Sequence, residues 1–243
     1  VTSGNQPPIT PIPIPLAELA RVGAVLLVGG TFDPPHVGHT RVPAALRAAA
    51  FPDGPCGAPV WLVYVPAARS PLKSHNPVAS DVDRVRMLEL AISGVPSACV
   101  WTDEIDRAAS GAPSYTVDTL RRARAWLDGC APHVALRLVI GADQAAAFHR
   151  WREPREIIRL AEPLVMGRRG VGQTESILRS IHESGFWTHD EIAAWRTRIP
   201  DLRDPGVQVS STQLRDSLRL DRDTPEHMHP EVAAYIRSHS LYR

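Results

Sequence analysis

Ala24-Val25-Leu26-Leu27-Val28-Gly29-Gly30-Thr31-Phe32-Asp33-Pro34-Pro35-His36-Val37-Gly38-His39 decides how this chain folds. Its apolar start has no polar alternation, as expected of a strand covered on both faces. Gly29 and Gly30 then let a ligand approach the backbone with no Cβ in the way. His36 and His39 stand three residues apart where a first helix should begin, so they can project from one face at its positive end. Two imidazoles and free amides would hold an anion there. A lone histidine would be an incidental surface residue; the pair, tied to the strand and the glycines, reads as a site. A dinucleotide-binding dehydrogenase is set aside, because Gly29-Gly30-Thr31 lacks the Gly-x-Gly-x-x-Gly that cradles a pyrophosphate.

Outward from this stretch, short apolar runs alternate with helical patterns. Ala24–Val28, Val60–Val65, Ala98–Trp101, Ala135–Ile140, Pro163–Met166 and Val207–Val209 read as strands. Gly38–Ala50, Asp81–Ser93, Tyr115–Leu127, Pro154–Leu160 and Ser211–Leu220 read as helices. The alternation indicates an α/β fold, a doubly wound parallel sheet of the Rossmann-like kind. Ligands in such sheets sit beyond the carboxyl ends of the strands, so the loops after Val28, Val65, Trp101 and Ile140 are where chemistry is expected. Residues 173–198 are polar with scattered apolar positions and suggest one or two amphipathic helices. Residues 1–22 hold Pro7, Pro8, Pro11, Pro13 and Pro15, and read as an extended, poorly ordered arm. Residues 23–243 read as a single domain.

The 243 residues suffice for one sizeable core, and 27 Lys+Arg against 26 Asp+Glu leave no general basic field for nucleic acid. Any anion site must be local. Cys56, Cys99 and Cys130 show neither metal-binding nor disulfide spacing, which fits a reducing cytoplasm. No apolar run reaches the ~20 residues of a membrane helix, and no secretory leader pattern is expected.

Other strings carry candidate chemistry. In Val209-Ser210-Ser211-Thr212-Gln213-Leu214-Arg215 a hydroxyl cap opens a helix, and its amides with Arg215 one turn later would make a phosphate seat. Pro66-Ala67-Ala68-Arg69-Ser70-Pro71-Leu72-Lys73 ends on a cation, which taken alone is a solvated lysine. Ser114 before Tyr115-Thr116 is an N-cap candidate. Asp143, after Gly141, reads equally as a helix cap, and Trp151 as a core tryptophan.

Gly-Gly-Thr-Phe-Asp-Pro-x-His-x-Gly-His resembles the nucleotidylyltransferase signature in the form used by nicotinate-nucleotide adenylyltransferases. Ser210-Ser211-Thr212-x-x-Arg215, Pro66…Pro71-x-Lys73, Pro113-Ser114-Tyr115-Thr116, Gly141-x-Asp143, Gly167-Arg168-Arg169-Gly170 and Ser240-Leu241-Tyr242-Arg243 are each similar to strings of that family. The resemblance implies adenylyl transfer from ATP to nicotinate mononucleotide, with catalytic roles for His36, His39, Lys73 and Arg215. It implies ATP contacts from Gly29, Gly30, Thr31, Phe32, Gly38, Gly141, Asp143, Ser210, Ser211 and Thr212. Contacts to nicotinate mononucleotide would come from Ser114, Tyr115, Thr116, Trp151, Arg152 and Arg168, Trp151 by stacking on the pyridine ring.

The attacking phosphate is already anionic, so no general base is assigned; acid assistance by His39 is an alternative role. Mg²⁺ is expected as a cofactor carried by the ATP phosphates, with no protein metal ligand. The expected partners are these small molecules alone, without nucleic acid or membrane; a homo-oligomer is compatible with the sequence. The competing readings are the same chemistry on nicotinamide mononucleotide or another phosphate acceptor, and a nucleotide-binding regulator without turnover.

Overall fold

The computed structural model describes residues 7–54, 57–69, 76–108, 114–166, 171–200, 209–220 and 227–243. A short helix α1 (Leu16–Leu19) leads into β1 (Ala24–Gly30), α2 (Val37–Ala50), β2 (Val60–Pro66), α3 (Asp81–Ile92) and β3 (Ala98–Val100). Then come α4 (Asp103–Ala108), α5 (Thr116–Cys130), β4 (Ala135–Gly141), α6 (Ala142–Ala146), a 3-10 turn at Phe148–Arg150, α7 (Pro154–Leu160) and β5 (Glu162–Met166). The helices α8 (Val171–Glu183), α9 (His189–Thr197), α10 (Ser211–Arg219) and α11 (Pro230–Ser238) follow.

Every pairing is parallel and the order is β3-β2-β1-β4-β5. β1 pairs with β2 from Ala24 opposite Val60 to Gly30 opposite Pro66, and with β4 from Ala24 opposite Ala135 to Val28 opposite Val139. The chain winds outward from β1 through β2 to β3, then returns to the other side of β1 for β4. The switch point therefore lies between β1 and β4, with its crevice above their carboxyl ends.

Side chains of β1 alternate between two cores, as the pleat requires. Val25 and Leu27 join Val117, Leu120 and Leu127 of α5, with Phe148 and Trp195, on one face. Ala24, Leu26 and Val28 join Leu46 of α2 and Leu88 of α3 on the other. Burial on both faces is why the strands lack polar alternation. A third cluster, including Met87, Leu214, Val232, Ile236 and Tyr242, fastens α3, α10 and α11 together.

Five expected strands and five expected helices are present, with ends shifted by a few residues. Of the strand expected at Val207–Val209, residues 207 and 208 lie outside the described residues, and Val209 is irregular. The polar 173–198 region contributes to two helices, α8 and α9.

The arm departs from expectation. Residues 7–15 are extended, but Ile12 and Ile14 are buried while the intervening Pro11, Pro13 and Pro15 are exposed. Arg122 donates to the carbonyls of Pro7 and Pro8 at 3.0 and 2.7 Å, and Trp101 Nε1 donates to Thr10 O at 2.8 Å. Proline removes amide donors but leaves carbonyl acceptors. The alternating isoleucines supply the burial that a polar arm would lack, so residues 7–22 are packed rather than poorly ordered. Among the described residues, Cys99 and Cys130 are free thiols and no helix is long and apolar enough to cross a membrane; Cys56 lies outside them.

Candidate active site

A cavity of about 240 Å³ opens above the switch point. Gly29, Gly30 and Thr31 from the end of β1, Ser114, Tyr115 and Thr116 from the start of α5, and Trp151 and Arg152 line it. The structure thus brings together residues separated by more than a hundred positions.

The loop after β1 is shaped from within. Phe32 has φ 51° and is 1% exposed, and a Cβ on Gly30 would come within 2.8 Å of its ring. Gly30 is therefore glycine because Phe32 folds back beneath it. The Phe32 side chain supports the loop and packs edge-on to His39 at 5.0 Å, so any contact it makes to ATP runs through its backbone.

His36 caps α2. Its Nδ1 accepts from Gly38 N at 3.1 Å, and His39 Nδ1 accepts from His36 N at 3.1 Å. The rings stack with centroids 3.7 Å apart and planes 24° off parallel. An Nδ1 that accepts carries no hydrogen, so each neutral ring bears its hydrogen on Nε2. This changes the expected seat, since the amides of His36, Gly38 and His39 are spent within the helix start. On His36 the hydrogen-bearing edge of the ring is therefore its Nε2 side. Burial, assisted by repulsion from His227, lowers the His36 pKa to about 4, so His36 is a neutral donor at pH 7. His227 was not foreseen, because its proximity to His36 arises only from the packing of the distant segment.

Helix α10 meets this loop. Ser210 is its cap, accepting from Gln213 N at 3.2 Å while Gln213 Oε1 accepts from Ser210 N at 3.1 Å. That box leaves the amides of Ser211 and Thr212 without an intrahelical partner. Ser211 Oγ donates to Pro34 O at 2.9 Å and Arg215 donates to Asp33 O at 2.7 Å. The Ser211 hydroxyl hydrogen is thereby engaged, whereas Thr212 Oγ1 accepts from Arg215 at 3.3 Å and keeps its own hydrogen to donate.

At the other wall, Tyr115 rather than Ser114 is the residue before α5, and no side chain caps that helix. Ser114 lines the cavity instead, buried. An uncapped helix start facing a cavity is a seat for an anionic group. Trp151 packs on Phe148 at 5.0 Å, and the Arg152 guanidinium sits 4.7 Å from the Tyr115 ring centroid. Gly141 ends β4 and caps α6 with Gln144, whose Oε1 accepts from Gly141 N at 2.9 Å. Asp143 is therefore not the cap; it stands exposed in the first turn.

Lys73 and Arg168 lie outside the described residues, as does Pro113. Four polar residues lining the cavity were missed: Glu104, Thr119, Gln144 and Arg150. Thr119 Oγ1 donates to Glu104 Oε1 at 2.6 Å and accepts from Arg107 at 2.6 Å. Burial pushes the Glu104 carboxyl above the usual carboxylate range, opposed by the Thr119 hydrogen bond and the Arg107 charge. The acidic run after Trp101 was the available signal, since it follows a strand end.

A parallel sheet with paired imidazoles at the first helix start, and a hydroxyl-rich helix start docked on the same loop, defines a nucleotidylyltransferase. The cytidylyltransferase-like family model matches residues 27–217. The "Probable nicotinate-nucleotide adenylyltransferase" of Rhodopirellula baltica is 34% identical over 89% of this chain and 92% of its own length. That of Chromobacterium violaceum is 35% identical over 92% and 99%. The chain belongs to the nicotinate-nucleotide adenylyltransferase family. In fold it is similar to a Plasmodium falciparum nicotinic acid mononucleotide adenylyltransferase complexed with NaAD, with TM-score 0.61, 16% identity and coverage of 90% and 97%.

Proposed function

We propose that this chain transfers the adenylyl group of ATP to nicotinate mononucleotide, giving nicotinate adenine dinucleotide and pyrophosphate in NAD biosynthesis. The observation that carries this reading is the cavity flanked on one wall by the glycine loop and on the other by the uncapped start of α5 beside Trp151. A pyridine carboxylate at that start meets amides and the positive end of the helix; a neutral carboxamide gains less.

The 5′-phosphate of the mononucleotide attacks the α-phosphorus, and the bond from that phosphorus to the bridging oxygen breaks. Pyrophosphate leaves with the electron pair. The nucleophile is anionic at neutral pH, so the protein's work is positioning and charge stabilisation. In this reading His36 and His39 donate through Nε2, the amides of Ser211 and Thr212 with the Thr212 hydroxyl hold phosphate oxygens, and Arg215 and Lys73 add positive charge. Gly29, Gly30 and Thr31 let the nucleotide lie against the backbone. Gly141 and the exposed Asp143 serve the adenosine side. Ser114, Tyr115, Thr116, Trp151, Arg152 and Arg168 hold the acceptor.

Among the described residues no group of three or more His, Cys, Asp or Glu could hold a metal ion, and the cradle's N–H groups suit phosphate oxygens rather than a cation. In this reading Mg²⁺ is carried by the ATP phosphates, where it would offset their negative charge. The free Cys99 and Cys130 fit a reducing cytoplasm.

The test is pyrophosphate release with ATP and either nicotinate or nicotinamide mononucleotide, side by side. A higher kcat/KM for the nicotinate form is expected. Equal or inverted preference would remove the α5 carboxylate seat, and ATP binding without release on either acceptor would favour a regulator.

A further inference from the structure

The Ser240–Arg243 segment has no role in the mechanism above, yet it is packed against the phosphate loop. Tyr242 adopts φ 65° and is 5% exposed. A bulky residue keeps a positive φ only where its surroundings hold it. Its ring sits in the cluster of Met87, Leu214, Val232 and Ile236, and its hydroxyl donates to Asp33 Oδ1 at 2.8 Å across 209 residues of sequence. Burial and the Asp33 carboxylate both raise the Tyr242 pKa, so the phenol remains a donor at any working pH.

Asp33 is a junction. Its Oδ1 also accepts from Ala79 N at 3.1 Å, and its Oδ2 accepts from Val78 N at 2.8 Å and lies 3.9 Å from the Arg215 guanidinium. The loop's carbonyls are tied back in the same way. Thr31 O accepts from Arg84 at 2.7 Å, Asp33 O from Arg215, and Pro34 O from Ser211. The loop is thus registered against the segment before α3, the start of α10 and Tyr242 at once.

We propose, resting on the phosphate-cradle reading above, that Tyr242 is a positioning residue for ATP: through Asp33 it holds the Asp33–Pro34 turn against Val78–Ala79 and the start of α10. It touches no substrate. Loss of the phenol oxygen frees one lobe of the carboxylate while the ring keeps the cluster filled, so the effect falls on the geometry of the cradle.

The experiment is Tyr242→Phe, with steady-state kinetics for both substrates, ATP binding by calorimetry and thermal melting. Expected are a rise of about ten-fold in KM and Kd for ATP, the scale of one hydrogen bond to a charged group, and a KM for the pyridine nucleotide unchanged within about two-fold, with melting near wild type. Adding Asp33→Asn should show coupling, the double variant costing less than the two single effects combined. Wild-type ATP parameters in Tyr242→Phe, or both KM values rising together with a lowered melting temperature, would overturn the proposal. If the wild type binds ATP but releases no pyrophosphate, the functional reading falls by itself, and the ATP Kd of Tyr242→Phe still decides whether Tyr242 positions ATP.

Discussion

His36 shows how one side chain can be both a structural cap and a site group. Its Nδ1 accepts the Gly38 amide, which leaves the ring hydrogen on Nε2, the atom proposed above to donate to phosphate. Burial keeps it neutral, with a pKa of about 4 against the ordinary 6.5. The unfolded chain therefore binds a proton on this residue between those two values while the folded chain does not, and stability falls as pH drops through that window. The contribution is complete above pH 6.5, and its slope is at most about 1.4 kcal/mol per pH unit. His36→Asn keeps a good capping side chain and removes the titration. Urea midpoints measured from pH 7 to 4 should fall less steeply in this variant than in wild type; identical slopes would mean His36 is not the group responsible. The pair of histidines was legible from the sequence, but the internal use of their Nδ1 atoms was not, because it depends on ring orientation at the start of α2.

Helices α8 and α9 connect to the Trp151 wall of the cavity through a row of aromatic rings. Trp195 packs edge-on to Phe148 at 5.2 Å, Trp187 lies 6.3 Å from Phe148, and Phe148 backs Trp151 at 5.0 Å. Arg155 ties the row to α9 through Glu191 at 2.7 Å and sits 4.4 Å from the Phe186 ring centroid. Trp195 is fully buried, so Trp195→Ala should cost about 3–5 kcal/mol of stability. In whatever fraction folds, KM for the pyridine nucleotide should rise more than KM for ATP, since the row ends on Trp151. Unfolding midpoints and the two KM values check this. The amphipathic pattern of residues 173–198 announced these helices but not their destination, which only the tertiary packing of Trp187 and Trp195 sets. The arm misled for a related reason: proline density speaks against regular structure, whereas the burial of Ile12 and Ile14 depends on a groove formed elsewhere. Helix α11 was overlooked although Pro230 stands in its first turn, a favourable place for proline.

At the scale of the molecule, strand and helix alternation was enough to foresee the parallel sheet and the carboxyl-end crevice, because both follow from which runs are buried on two faces. The order β3-β2-β1-β4-β5 adds what periodicity cannot carry: the crevice lies between β1 and β4, so Gly29–Thr31 and Trp151 line one cavity. The wall built from Glu104 and Thr119 was missed because a buried polar pair has no sequence period. The proposed phosphate cradle depends on the start of α10 docking on the loop that opens α2, where Ser211 donates to Pro34 O and Arg215 to Asp33 O. The most direct measurement is pyrophosphate release by His39→Ala with ATP and nicotinate mononucleotide, alongside its melting curve. A kcat reduced by about a hundred-fold or more with near-native melting is expected, as for loss of one charge-stabilising donor. Wild-type rates with both substrates would contradict the cradle.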